Sequence, residues 1–527
     1  MPCNSSSPDA SPGLRFKQVP NRNAMQKPLT FMLLLLLTAF LLCSPATAAD
    51  RSPATAPALT IGPAFGPPTT QVRVSGVGFD PYAIVDIYFD AAHQTQVTTN
   101  GAGAFGGGSF QGGIAVRVPA SALPGSHWFM AMEHSGQKMA RKQFLVRTDW
   151  AQFHFGPEHA GLNPYENVLS PANVGGLQLA WSYPTGGGIP SPPALANGIL
   201  YVVSQDFYLY ALDATTGSLL WKYTLGAVVD SSPAVVNGVV YVGSSDGMYA
   251  LDATTGALLW TFRLGAGQTP TVANGVVYFG CGVSVCAVNA ATGALLWQST
   301  YTGESVFAVA VGENQVVFGS VDPITRQGLV YALDAGTGNL LWSTFVANSQ
   351  NGDVIFSTPA FNAPYVYVNT MIALGQIEYG ALYCLGMARG GICWSGPTGG
   401  MGASPAVANG MVYDGISKLY TFPGHLYAYT MDGLMMWQYV TNANVGSPAV
   451  ANGVVYFGAG STLCALNAGT GAPLWQYPVN ASSPVIANGV VYVGSGDGKV
   501  YAFNLTGGSS SGNILTVRAV FQGPSVP

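Results

Sequence analysis

Short apolar runs, broken by glycine-containing turns, alternate along most of this chain. No stretch carries the three-to-four spacing of an amphipathic helix, so the pattern predicts strands. Residues 232–262 are the clearest unit. Ser232-Pro-Ala-Val-Val-Asn-Gly238 is an apolar run ending in Asn-Gly, a strong hairpin signal. Val239-Val-Tyr-Val-Gly243 reads as a β-branched strand, Ser244-Ser-Asp-Gly247 as a turn, and Met248-Tyr-Ala-Leu-Asp252 as a third strand. Ala253-Thr-Thr-Gly256 turns again, into Ala257-Leu-Leu-Trp-Thr-Phe262. Four short antiparallel strands in roughly 40 residues predict the blade of a β-propeller.

The first three strands occur eight times, starting at Ser191, Ser232, Thr269, Val306, Ser357, Ser404, Ser447 and Ser482. An outer strand with a tryptophan follows every copy but the last. These tryptophans are Trp221, Trp260, Trp297, Trp342, Trp394, Trp437 and Trp475. An eighth, Trp181, sits in residues 177–183, ahead of the first copy and without inner strands of its own. The two incomplete ends complement each other. The expected fold is therefore all-β, an eight-bladed β-propeller of four-stranded blades over residues 177–504. Residues 177–183 would complete the last blade and leave no open edge.

The clearest copies of the outer sentence run Ala211–Trp221, Ala250–Trp260 and Ala332–Trp342, as Ala-x-Asp-x-x-Thr-Gly-x-x-x-Trp, with Asn for Asp at Asn289 and Asn467. This motif resembles the tryptophan-docking repeat of the quinoprotein family. The approach from Asp149-Trp150 to Trp181 is also similar to the lead-in of that family. The resemblance spans about residues 149–504 and is specific for the fold. The same repeat is found in quinone-dependent dehydrogenases and in non-enzymatic lipoproteins of outer-membrane protein assembly, so it does not choose between them.

Residues 59–147 read as a separate unit of short strands between Gly and Pro turns, which looks like a small Ig-like β-sandwich. Residues 49–58 form a flexible leader, 148–176 a linker packing on the propeller, and 505–527 a flexible tail. Lys27, the apolar run 31–42 and Ala46-Thr-Ala48 read as a signal peptide over residues 1–48, with Met25 the expected start. The run is too short to span a bilayer. Cys43 follows Leu42 rather than a small residue, which disfavours lipidation. The expected location is exported: periplasmic, cell-surface or secreted.

Only 8% of residues are charged, against roughly a quarter in ordinary proteins. Without residues 1–48 the chain keeps 14 basic and 22 acidic side chains, a charge of −8. No nucleic-acid partner is expected. Cys384 with Cys393, and Cys281 with Cys286, each flank a turn and are candidates for disulfides in an oxidising compartment; buried free thiols are the alternative. Cys464 is left over as a core filler. No haem or zinc spacing exists. His154, His159, Asn163 and Glu166 lie in the linker, but their spacing matches no ligand motif, and packing is the better reading.

The family's dehydrogenases imply an Asp base, a Glu/Asn/Asp calcium set, an Arg near the quinone and often adjacent cysteines. This chain has no adjacent Cys pair, and its ring carries only Arg263, Arg326 and Arg389 among arginines. No Ser/His/Asp arrangement and no phosphate loop is recognisable. The candidate channel rim consists of Asp230, Gln268, Glu304, Asp353, Asn444 and Asn480, in loops leading to the inner strands. These are either solvated loop groups or a grip for a cation or ligand. On the same face the loops at 321–328, 370–379 and 415–425 are long. Tyr379, Tyr420 and Phe422 there form a candidate partner surface. The expected function is an exported, non-enzymatic scaffold binding protein or glycan at the cell envelope, with no cofactor. The alternative is a dehydrogenase with a degenerate site for pyrroloquinoline quinone and calcium. An enzyme attacking polysaccharide through the channel carboxylates is the least supported reading.

Overall fold

A computed structural model describes residues 56–506, except 109–111, 228–229, 264–267, 301–305, 307, 322–326, 349–352, 375–376, 399–401 and 418–422. The expected signal peptide, residues 1–48, and residues 507–527 of the expected tail lie outside these residues. The only helix among the described residues is two short 3-10 turns, Gly106–Gly108 and Val174–Gly176. None is long and apolar enough to cross a membrane.

Residues 58–146 form two sheets. One has three strands, Ala58–Gly62, Gln71–Val77 and Ile114–Arg117. The other has five, among them Ile84–Phe89, Gly125–Glu133 and Met139–Val146. Alternation along the strands puts Val72, Val74, Ile87, Phe129 and Phe144 into a shared, fully buried core. The strand Ala92–Thr98 was not expected. Its residues are mostly polar and half-exposed, so it carries little apolar signal.

Eight consecutive sheets of at least four strands follow. In the second, Ala234–Val236, Val239–Ser244, Gly247–Asp252 and Leu258–Phe262 lie side by side, antiparallel. Asn237 and Gly238 both take positive φ (52° and 79°), the geometry of the tightest hairpin turns. In the eighth, Gln178–Pro184 pairs with Lys499–Asn504, so the first and last strands of the repeat region share one blade.

The tryptophans explain how neighbouring blades dock. Trp221 Nε1 donates to Ala253 O of the next blade at 3.1 Å, and the Tyr201 hydroxyl donates to the same carbonyl at 2.9 Å. Trp260 and Tyr241 share Ala290 O in the same way. The Thr-Gly turn is part of the device. A Cβ on Gly256 would stand 2.6 Å from the Trp221 ring, so only glycine lets the turn lie flat on the indole. Asp252 Oδ1 holds that turn by accepting from the Thr255 N–H and hydroxyl, both at 2.8 Å. Each motif residue thus has its physical role. At the seam between blades seven and eight the pattern changes. Trp475 donates to Leu177 O, and the buried Tyr456 hydroxyl has no partner among the described residues.

Candidate functional site

The lead-in segment, residues 150–163, makes a circuit of the central channel. Trp150 exchanges two backbone hydrogen bonds with Leu195 on the inner strand of blade one, and Ala151 O accepts from Val235 on blade two. The Gln152 amide bonds both main-chain groups of Val272 on blade three. Pro157 O, Glu158 O, Ala160 O and Gly161 O then accept from Val311, Phe361, Val407 and Val450, on blades four to seven. Asn163 Nδ2 donates to Ile486 O on blade eight. Each inner strand presents main-chain groups to the channel, and this segment pairs at least one of them on every blade. It fills the channel on the side of the Asn-Gly and Thr-Gly turns.

Two linker histidines are walled in by this arrangement. The His154 ring stacks on Phe153 at 4.1 Å, and His159 Nε2 meets the Thr271 hydroxyl at 3.0 Å. Burial pushes His154 down to about 4 and His159 down to about 3. Both rings stay neutral. Glu166 Oε1 accepts from Val168 and Leu169 N–H, and its Oε2 from Gly489. These residues pack the linker; among the described residues no three metal-ligating His, Cys, Asp or Glu side chains converge.

The other end of the channel opens. A cavity of about 430 Å³ is lined by Asn444, Ser447, Asn480, Ser482 and neighbouring small residues of blades six to eight. A second, of about 230 Å³, continues it past Gln205 and Gly188. A belt of hydroxyls ties the blades together at this level: Ser404 Oγ accepts from Thr358 N and Ser447 Oγ from Ser404 N, both at 3.1 Å.

Of the expected rim, Asn444 and Asn480 therefore meet in one cavity. Asp230 and Gln268 do not line it, and Glu304 lies outside the described residues. Asp353 is not in a loop. It opens an extra strand, Asp353–Phe356, that pairs with Tyr365–Leu374. The expected long loop at 370–379 is corrected likewise. Tyr365–Leu374 and Ile377–Gly386 continue as one ladder up to Leu374 and Ile377, and Tyr379 stands in it opposite Ile372. β-branched and aromatic residues in that stretch favour a longer hairpin over a loop. Tyr420 and Phe422 lie outside the described residues.

Cys281 and Cys286 are joined by a disulfide. Cys384 and Cys393 are free thiols. A β-bulge explains the difference. Cys384 stands opposite Trp394, and Cys393 is the extra residue of the outer strand, so the two are not in register.

Sequence reasoning missed two carboxylate arrangements. Asp206 accepts from the Tyr210 hydroxyl, Asp246 from Tyr249 and Asp497 from Tyr501, each at 2.6 Å. The signal was an Asp three or four residues before a Tyr in blades one, two and eight. Burial opposes ionisation of Asp246, but the Tyr249 and Ser244 hydroxyls and Arg263 outweigh it and hold the carboxyl below its ordinary value. The other arrangement is deeper. Asp414 is fully buried and accepts from Asn369 Nδ2 of the adjacent blade at 2.5 Å. Burial raises its carboxyl to about 8, against the pull of that hydrogen bond. Aligning the blades would have found it, because Asp414 stands where Val242 and Phe457 stand, and Asn369 where Gly243 and Gly458 do.

The family described as outer membrane protein assembly factor BamB matches residues 168–306, 244–360 and 326–525, together more than half of the chain. The chain belongs to that family. Solved structures agree on the fold. BamB from Moraxella catarrhalis is 17% identical, with a TM-score of 0.50 over 62% of this chain and 99% of that one. The quinohemoprotein alcohol dehydrogenase of Comamonas testosteroni is 18% identical, with a TM-score of 0.54 over 68% and 81%. The quinohemoprotein alcohol dehydrogenase ADHIIG of Pseudomonas putida HK5 is 19% identical, with 0.54 over 72% and 82%. No curated protein matches the chain.

The fold is thus shared by BamB and by quinohemoprotein alcohol dehydrogenases. The described lining of the channel mouth offers Ser, Asn and Gln side chains, backbone groups and small apolar residues. The chemistry of this lining is neutral hydrogen bonding, without a proton donor or acceptor that titrates near neutrality.

Proposed function

We propose that this protein is an exported, non-enzymatic scaffold that binds a protein partner at the cell envelope, as part of outer-membrane protein assembly. Family membership supports the envelope setting. The observation that carries the non-enzymatic part is the uncharged cavity at the mouth, above a channel closed from the other side by the chain's own lead-in. Such a surface suits polypeptide, whose main chain pairs with Ser, Asn and glycine backbone groups. The partner surface includes the extended hairpin of blade five and the residues Tyr379, Tyr420 and Phe422. The test is photo-crosslinking from position 480 at the mouth and, separately, from position 216 on the turn face, with the partner identified by mass spectrometry. An outer-membrane assembly component captured from position 480 alone is the expected result. Capture from position 216 alone moves the partner to the other face. Stoichiometric binding of pyrroloquinoline quinone with calcium, seen as a shifted quinone spectrum, overturns the non-enzymatic reading.

A further inference from the structure

The repeat breaks in a concentrated way on the face away from the mouth. Six blades make their first hairpin with Asn-Gly; blades four and five replace it with Glu313-Asn314 and Ala363-Pro364. The inner strand of blade five carries Phe361 where the others have Leu, Val or Ile, and Met387 replaces the alanine that accepts the tryptophan bond in most blades. Glu313, Phe361, Ala363 and Met387 all line one cavity of about 300 Å³, completed by the lead-in through Phe155 and Glu158.

The cavity has a definite character. Phe361 and Met387 are nearly buried and form its floor. Phe155 holds a φ of +86°, a strained value for a bulky side chain, and Glu313 one of +48°. The turn is fixed from behind, because Asn314 Nδ2 donates to Asp334 and Gln315 Nε2 to Met387 O. The Glu158 and Glu313 carboxylates are exposed at the rim. Neither takes part in an ion pair found among the described residues, and the lining contains no Lys, Arg or His. Elsewhere on this face the chain ahead of the propeller covers two of the Asn-Gly turns: Val168 lies over Gly489 and Pro171 over Gly453. At blades four and five an aromatic floor lies beneath these two carboxylates.

We propose that this cavity binds an organic monocation, an ammonium or guanidinium group carried on an apolar body. Phe155, Phe361 and Met387 would receive the body, and Glu158 and Glu313 the charge. Its volume is at the lower end of small-molecule sites, about 300 Å³, which suits a single aryl-alkyl amine or one basic side chain. The site is separate from the mouth and does not rest on the partner proposed there.

The test is calorimetric titration of the whole protein at millimolar ligand. The probes are 2-phenylethylammonium with its neutral counterpart 2-phenylethanol, and the capped peptides Leu-Arg-Leu and Leu-Gln-Leu. The cationic member of a pair should bind at least about tenfold tighter than the neutral one. Glu158→Gln and Glu313→Gln together should remove that preference, while Asp432→Asn, an exposed carboxylate on blade six, should leave it intact. Binding of the amine alone assigns a free small molecule; binding of the arginine peptide alone assigns a side chain of a partner polypeptide; either supports the site. Equal affinity for cationic and neutral probes, no binding of either cation, or full binding by the double variant overturns it.

Discussion

The Gln152 side chain donates to Val272 O at 3.0 Å and accepts from Val272 N at 2.7 Å, across 120 residues of sequence. A side-chain amide here does the work of a β-strand neighbour. Gln152→Ala would leave both main-chain groups of a buried inner strand unpaired. A loss of about 2–4 kcal/mol is expected, read as a lower urea midpoint with little change in slope. An unchanged midpoint would mean that water replaces the amide without cost.

The blade junctions predict unequal tyrosines. Tyr413 and Trp437 share Ala468 O, the tyrosine at 3.1 Å. Tyr456, one blade on, has a buried hydroxyl with no partner among the described residues. Tyr413→Phe should therefore cost about 1 kcal/mol, and Tyr456→Phe should be neutral or stabilising. Chemical denaturation of both variants checks the difference; equal losses would contradict it.

Acid should weaken the lead-in. His154 and His159 titrate near 4 and 3 when folded, against about 6.5 when unfolded. Below 6.5 the unfolded chain binds protons that the folded chain refuses. Stability is present above that pH and falls as pH drops towards 4, by about 1.4 kcal/mol per unit for each ring. His159→Gln should flatten the decline of melting temperature between pH 7 and 4.5. An identical decline would show that the His159 ring is not shielded from protons in solution.

Asp414 has the opposite sign. Its folded carboxyl is raised to about 8, from 3.8. The unfolded chain releases this proton from pH 3.8 upward while the folded chain keeps it, so the site costs increasing stability as pH rises through that window. Asp414→Asn should gain more stability at pH 8 than at pH 5. A gain independent of pH would assign the effect to packing.

Much of this architecture is legible in the sequence, because each blade is a local object. Its turns need Asn-Gly or Thr-Gly, and its docking needs a tryptophan at a fixed distance from that glycine, so the chemistry recurs within about 40 residues. The lead-in is illegible for the complementary reason. Pro157, Glu158, Ala160 and Gly161 act through backbone carbonyls, which any residue possesses. Asp353 and Tyr379 were misplaced because length alone does not separate a long loop from a long hairpin. Asn444 and Asn480 line one cavity, and the sequence hints at this because each turn reverses the chain and so assigns every loop to one end of its blade. Asp414 and Asn369 are visible only when blades are compared position by position.

The lead-in also sets an order of assembly. Residues 150–163 leave the ribosome before any blade, yet Asn163 waits 323 residues for Ile486. Until the last blade exists, the segment can be held only by part of a ring. Its circuit acts as a late latch, closed when the final inner strand arrives. A chain stalled before that point would carry both an unpaired sheet edge and a loose latch, the kind of incomplete fold that chaperones and proteases recognise.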